Sequence, residues 1–324
     1  MAKGIDIGTA FIGVAELVSN EIIVKIIRDG FFEIEATYFF ESMMSQAKVK
    51  YIKKGNLLYV VGDEAIEFAS VFNKSARRPL AKGVLNPQDK EALPIMRILL
   101  DRLIGKGSGL AYFSIPSKPV DAEYDIGYHE GMFKKLISEL GYTSESINEG
   151  LAVIYSELES ENFTGIGVSC GAGMINVCFA YMSIPVFSFS VSRAGDWIDE
   201  EVSRATNTPT SRVCLAKERN LVLNEPTEDR ILAALQIVYE NLFTYVIKHI
   251  RQQFSLAESL PNITRSIPII IAGGTSMPKG FEELFHKIWN TVEFPIEISE
   301  IKRCSEPLHA VAKGALRVAL AKEE

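Results

Sequence analysis

The chain has 324 residues, of which 47% are hydrophobic and 23% charged, with a net charge of −7. That length exceeds what one core usually supports, so two domains of about 150 residues each are expected. The acidic balance, without a Lys/Arg stripe interleaved with aromatics, argues against a nucleic-acid binder, and the short basic stretches KVKYIKK and KSARRPLAK read as solvated faces.

The opening MAKGIDIG runs straight into a strand, which leaves no room for a signal peptide or an amphipathic membrane helix ahead of it. The first segment, KGIDIGTAFIGVAELVSNEIIVKIIRDG, reads as three strands: one ending at Asp6, then a hairpin turning at Ser19-Asn20. KVKYIKKGNLLYVVG suggests a second hairpin with Gly55-Asn56 as its turn. DEAIEFASVF predicts a short helix, and KEALPIMRILLDRLIG a longer one with a break expected at Pro94. LAYFSIP is a buried strand, and VDAEYDIGYHEGMFKKLISELG a helix ending at Gly141.

SESINEGLAVIYSELES then reads as a strand edge entering a helix. Next, the opening pattern recurs: GIGVSCGAGMINVCFAYMSIPVFSFSV is again a strand, a glycine-rich turn and a hairpin. Its nearly apolar part, 174–191, has the length of a membrane span, but its β-branched and aromatic content and the break at MSIP favour paired strands. Further helices follow, and the second half is expected to end on the buried strand IPIIIAGG. A strand–turn–hairpin at the start of both halves suggests a duplicated α/β architecture with a ligand cleft between two lobes.

The turns carry the chemistry. DIGTA places Asp6 at a strand end, followed by Gly8, Thr9 and Ala10, whose backbone N–H groups suit phosphate oxygens while the acid suits hydrated Mg²⁺. GIGVSCGAGMIN places four glycines within nine residues around a turn, yet no carboxylate lies between Thr164 and Arg193. Gly273 and Gly274 of AGGTSM either admit a flat ring against bare backbone or cap a strand. The cysteines (170, 178, 214 and 304) lack metal-ligand spacing and suit a reduced, cytoplasmic chain. The four histidines are scattered, and none is assigned a catalytic role.

Taken in order, DIGTA, INEGLAVIYSEL, GVSCGAGM, LAKERN, IIIAGGTSM and PLHAVAKGAL resemble the motif series of the actin superfamily of ATPases, and most closely its MreB branch. The resemblance implies an actin-like fold of two duplicated lobes around a nucleotide cleft. The first lobe would comprise residues 1–150 and 306–324, with a small α/β subdomain over about 31–78. The second would span 151–305. MreB has a small β-sheet subdomain between the positions of Glu218 and Gly273, but these 54 residues read mostly as helices, so a reduced helical insertion over about 219–267 is expected.

The resemblance also implies roles. Asp6, Gly8, Thr9 and Ala10 would face the β/γ-phosphates, with Asp6 on the metal. Ser169, Gly171, Ala172 and Gly173 would form the second phosphate loop, with Ser169 where the family carries an acid. Glu149 would orient the attacking water. Gly195 would close over the nucleotide, Lys217 and Glu218 would contact the adenosine, and Gly273, Gly274 and Thr275 would line the base. The implied cofactors are ATP and Mg²⁺. The implied function is a cytoplasmic, cytoskeletal, filament-forming protein with slow ATP hydrolysis, serine lacking the charge of the usual acid. The alternative is a non-polymerising nucleotide switch or pseudo-ATPase that acts through a protein adaptor. A small-molecule kinase would need an acceptor base and substrate-binding insertions that the sequence does not show. Membrane contact, for which TYFFESMM at 37–44 would be a surface loop, is not expected.

Overall fold

A computed structural model describes residues 1–49, 51–72, 76–257, 260–261, 263 and 265–323, with the side chain of Ser70 excepted. Lys50, Lys74 and Ser75 of the two basic stretches lie outside the described residues. The chain opens with β1 (Lys3–Ile7), β2 (Phe11–Val18) and β3 (Glu21–Arg28). Ser19 and Asn20 turn the β2–β3 hairpin with φ of 51° and 66°, the left-handed pair that a two-residue hairpin requires.

A small three-stranded sheet follows, built from β4 (Phe31–Glu35), α1 (Tyr38–Gln46), β5 (Tyr51–Lys54), β6 (Leu57–Val61) and α2 (Asp63–Val71) in the strand order β4-β6-β5. Residues 37–44, expected as a surface loop, instead cap and begin α1: the Thr37 hydroxyl accepts from the Phe40 N–H, and Met44 anchors the inner face. The short hairpin β7 (Leu80–Ala81) and β8 (Val84–Leu85) returns the chain to the first lobe. There α3 (Ala92–Ile104), β9 (Leu110–Ile115), α4 (Ile126–Glu139) and β10 (Thr143–Asn148) complete it. Pro94 does not break α3, because it falls in the first turn, where a missing N–H costs nothing.

The second lobe repeats this plan. After α5 (Glu149–Glu157) come β11 (Gly165–Cys170), β12 (Ile175–Tyr181), β13 (Ile184–Val191), α6 (Gly195–Thr206), α7 (Thr210–Asn220) and α8 (Arg230–Leu256). Then follow β14 (Ile267–Ala272), α9 (Phe281–Trp289), β15 (Ile298–Arg303) and α10 (Ala310–Glu323). The strand β14 is therefore not the last of this half: β15 pairs beside it in parallel. Its sequence, ISEIKR, alternates polar and apolar residues and lacks the continuous apolar run that marks β14.

The two five-stranded sheets have the same topology, β3-β2-β1-β9-β10 and β13-β12-β11-β14-β15. Stretch 174–191 is the paired strands β12 and β13. Between residues 219 and 266 the described residues contain α8 and no strand. This helix is long and apolar enough to cross a bilayer, but Tyr239, Phe243 and Phe254 on one face are buried with Phe281 and Phe285 of the second-lobe core.

Between the two sheets lies a core of small residues, with Ala15, Ala152, Cys178, Ala312 and Ala315 among them. Here α5 and α10 cross so closely that a Cβ at Gly314 would stand 1.8 Å from the Ala152 carbonyl oxygen. Small side chains thus set the distance between the lobes.

Candidate functional site: a cavity between two glycine turns

Each sheet sends one tight turn toward the cleft. In the first, the Gly8 N–H donates to the Phe11 carbonyl at 3.0 Å; in the second, the Gly171 N–H donates to the Met174 carbonyl, also at 3.0 Å. These are equivalent places in the duplicated plan, and both turns line one cavity of about 590 Å³. Side chains and backbone of Asp6, Gly8, Thr9, Ala10, Glu149, Ser169, Gly171, Ala172, Gly195, Lys217, Glu218, Gly273, Gly274 and Thr275 all face it. That volume suits a ligand of nucleotide size.

Gly173 stands apart from the cavity lining. A Cβ there would meet the Gly83 nitrogen at 2.3 Å and the Thr9 hydroxyl at 2.4 Å, so this glycine lets the second turn rest on the first lobe. The Thr9 hydroxyl accepts from the Gly83 N–H at 3.0 Å and ties its loop to the β7–β8 hairpin.

Two carboxyls meet inside. Asp6 ends β1 and accepts from the Ser114 hydroxyl at 3.0 Å. Glu149 begins α5, where Asn148 caps the helix by accepting from the Leu151 N–H at 3.1 Å, and it accepts from the Ser169 hydroxyl at 2.9 Å. Burial raises the pKa of Asp6 above the usual carboxylate range, while the Ser114 bond opposes the rise. Burial also raises that of Glu149, and repulsion from Asp6 adds to it; Ser169 and Asn176 pull the other way.

These donors fit Mg²⁺, which keeps most of its waters and takes one or two carboxylates together with substrate phosphates. Among the described residues no group of three His, Cys, Asp or Glu side chains could hold a metal alone.

The opposite wall comes from the second lobe. Gly273 adopts φ of 90°, and a Cβ there would lie 2.3 Å from the Cys170 carbonyl oxygen, so only glycine lets this loop pass the second turn. The Thr275 hydroxyl donates to the Gly171 carbonyl at 2.8 Å, and the buried Tyr239 hydroxyl donates to the Thr275 carbonyl at 3.0 Å. Lys217 is engaged within its own lobe: its ammonium pairs with Asp199 at 2.8 Å and donates to the Gly195 carbonyl at 2.9 Å.

Among the cavity residues that went unnoticed in the sequence, four take part in links across the cleft. Arg78 of the first lobe binds Asp196 of the second through both carboxylate oxygens, at 2.8 and 3.0 Å. Arg28 stacks over the Phe11 ring, 4.8 Å from its centroid, and reaches Glu218 across the cleft at 3.5 Å. The partners are 118 and 190 positions apart in sequence, and no local pattern announces such pairs.

The solved structures that resemble the chain include the MamK double helical filament, with 20% identity, 98% of each chain covered and a TM-score of 0.77. MreB5 of Spiroplasma citri bound to ADP matches with 16% identity over 100% of this chain and 98% of that one, at a TM-score of 0.68. The ethanolamine utilization protein EutJ from Carboxydothermus hydrogenoformans matches at 15% identity and a TM-score of 0.56, over 97% and 89% of the two chains. No curated protein matches in sequence. The Volactin family model matches residues 1–319, nearly the whole length. With its two equivalent sheets around one cleft, the chain has the actin-like fold and belongs to the Volactin family.

Proposed function

We propose that the protein is a cytoplasmic, actin-like cytoskeletal protein that binds Mg·ATP between its lobes, assembles into filaments and hydrolyses the nucleotide slowly. The observation that carries this reading is the convergence of the two equivalent glycine turns and the Asp6/Glu149 pair on one cavity. Filament assembly is supported by likeness to the MamK filament, and nucleotide binding by likeness to MreB5 bound to ADP and to a non-polymerising MamK mutant bound to AMPPNP.

In this reading, backbone N–H groups near Gly8 and Gly171 hold phosphate oxygens. Asp6 takes the metal side, and bound Mg²⁺ neutralises charge on the β/γ-phosphates. Glu149, as its carboxylate, accepts the hydrogen bond of the Ser169 hydroxyl and orients the attacking water. Gly273, Gly274 and Thr275 take the base, with Glu218 and Lys217 along the adenosine. Slow turnover follows from Ser169, which donates a hydrogen bond to Glu149 but brings no charge to the metal.

Sedimentation with Mg·ATP, Mg·ADP or no nucleotide, with phosphate release read in the same tubes, tests the proposal. ATP-dependent pelleting with slow release is expected. ATP binding without pelleting at any concentration would favour a nucleotide switch that acts through an adaptor. The absence of a strand among the described residues of 219–266 is the observation that favours that second reading, because it alters a lobe end available for subunit contact.

A further inference from the structure

Asn176 is fully buried on β12, directly across from Ser169 of β11. Its amide oxygen accepts from the Ser117 N–H at 2.8 Å. Ser117 belongs to the loop after β9, and this loop is pinned to the second lobe: the Ser190 hydroxyl donates to the Ser117 carbonyl at 2.8 Å, and the Val120 N–H donates to the Ser190 carbonyl at 2.9 Å. The backbone N–H can bond only to the oxygen end of the amide, which fixes the rotation of the side chain. The amide nitrogen is buried without a hydrogen-bond partner, and Ser169, the residue that Asn176 faces across the sheet, donates to Glu149 at 2.9 Å; the amide also opposes the rise in the Glu149 pKa. A buried donor with no partner is costly and uncommon.

We propose that Asn176 is a positioning residue for Glu149: the Ser117 backbone fixes its amide, so that the NH₂ end, together with the Ser169 hydroxyl, holds the Glu149 carboxylate toward the cavity. The inference rests on the nucleotide-hydrolysing reading above and adds to it a residue at the start of β12, two positions beyond the GVSCGAGM motif. It also ties Glu149 to the loop by which the first lobe grips the second.

Two variants of the full chain separate the two ends of the amide. Asn176→Asp keeps an acceptor for Ser117 and removes the NH₂ group; Asn176→Ala removes both. Each is compared with wild type for thermal unfolding, binding of a fluorescent N-methylanthraniloyl-ATP, single-turnover phosphate release across pH, and titration of the Glu149 carboxyl carbon by ¹³C NMR, assigned with Glu149→Gln. In both variants we expect analogue affinity within about twofold of wild type, phosphate release at least tenfold slower, and an upward shift of the Glu149 midpoint with the acidic limb of the rate. Folded variants with an unchanged rate and unchanged carboxyl titration would overturn the proposal and leave Asn176 a packing residue. If wild type binds no nucleotide, the functional reading fails, while the carboxyl titration still decides whether Asn176 holds Glu149.

Discussion

The Ser169 hydroxyl donates to the Glu149 carboxylate at 2.9 Å, where an acid at position 169 would set two carboxylates side by side. Ser169→Asp places that acid there. We expect it to destabilise the ligand-free protein at neutral pH, because three buried acids then share one site. With Mg·ATP we expect faster phosphate release, on the order of tenfold, the effect of about 1.4 kcal/mol at the transition state. Thermal unfolding without ligand and single-turnover release with it check the two signs.

The two buried carboxyls make stability depend on pH in a stated direction. Both titrate above their ordinary range because burial disfavours their charge, and Asp6 adds to the shift on Glu149. A carboxyl whose midpoint is higher folded than unfolded gives its full stabilisation below the ordinary midpoint of about 4, and loses it as pH rises through the raised value. The ligand-free protein should therefore lose stability from about pH 4 through neutrality, by at most about 1.4 kcal/mol per pH unit for each group. Glu149→Gln should flatten this fall. Urea unfolding of both proteins between pH 5 and 8.5 measures the difference, which cancels the contributions of surface acids.

The Arg78–Asp196 pair joins the lobes beside the second turn. Both side chains are about one-third exposed, so solvent screening limits the pair to roughly 1 kcal/mol. Either Arg78→Ala or Asp196→Ala should speed release of a bound fluorescent nucleotide several-fold with little change in melting temperature. The double variant should be no faster than either single one, since both break the same bond. Additive effects would place the two residues in separate roles.

Gly314→Val tests how the lobes are joined. A Cβ at 314 would stand 1.8 Å from the Ala152 carbonyl oxygen, and backbone cannot move aside as a side-chain tip can. We expect a loss of about 3 kcal/mol or more from overpacking, read as a large drop in melting temperature or in soluble yield. Gly131→Val, where no atom lies within 4 Å of an added Cβ, is the control and should cost only helix propensity.

Much of the fold was legible because its signals are local. Ser19-Asn20 turns a hairpin wherever it falls between two alternating runs, and IPIIIA is a buried strand by composition alone. The site was legible through two glycine turns and an ordered series of motifs. What escaped depends on distant partners: Arg78 and Arg28 gain meaning only when the opposite lobe brings Asp196 and Glu218 to them. Asn176 escaped for the same reason, because in sequence it is one polar residue in an apolar strand. Lys217 was legible as a site residue, but its engagement by Asp199 was not. The break expected at Pro94 failed on position, since proline is tolerated in a first helical turn.

The crossing of α5 and α10 also bears on the order in which the protein can be made. The strand β1 lies against α10: a Cβ at Gly4 would stand 2.1 Å from the Ala312 carbonyl oxygen, and Ala2 and Ala15 share a core with Leu316 and Ala319. Residues 310–323 leave the ribosome after the whole second lobe. The half of the chain synthesised first therefore keeps an apolar face uncovered until the last helix arrives, while the half synthesised second already holds its own strands and α5. A nascent chain stalled before residue 310 should carry a protease-resistant second lobe and a first lobe still open to chaperones.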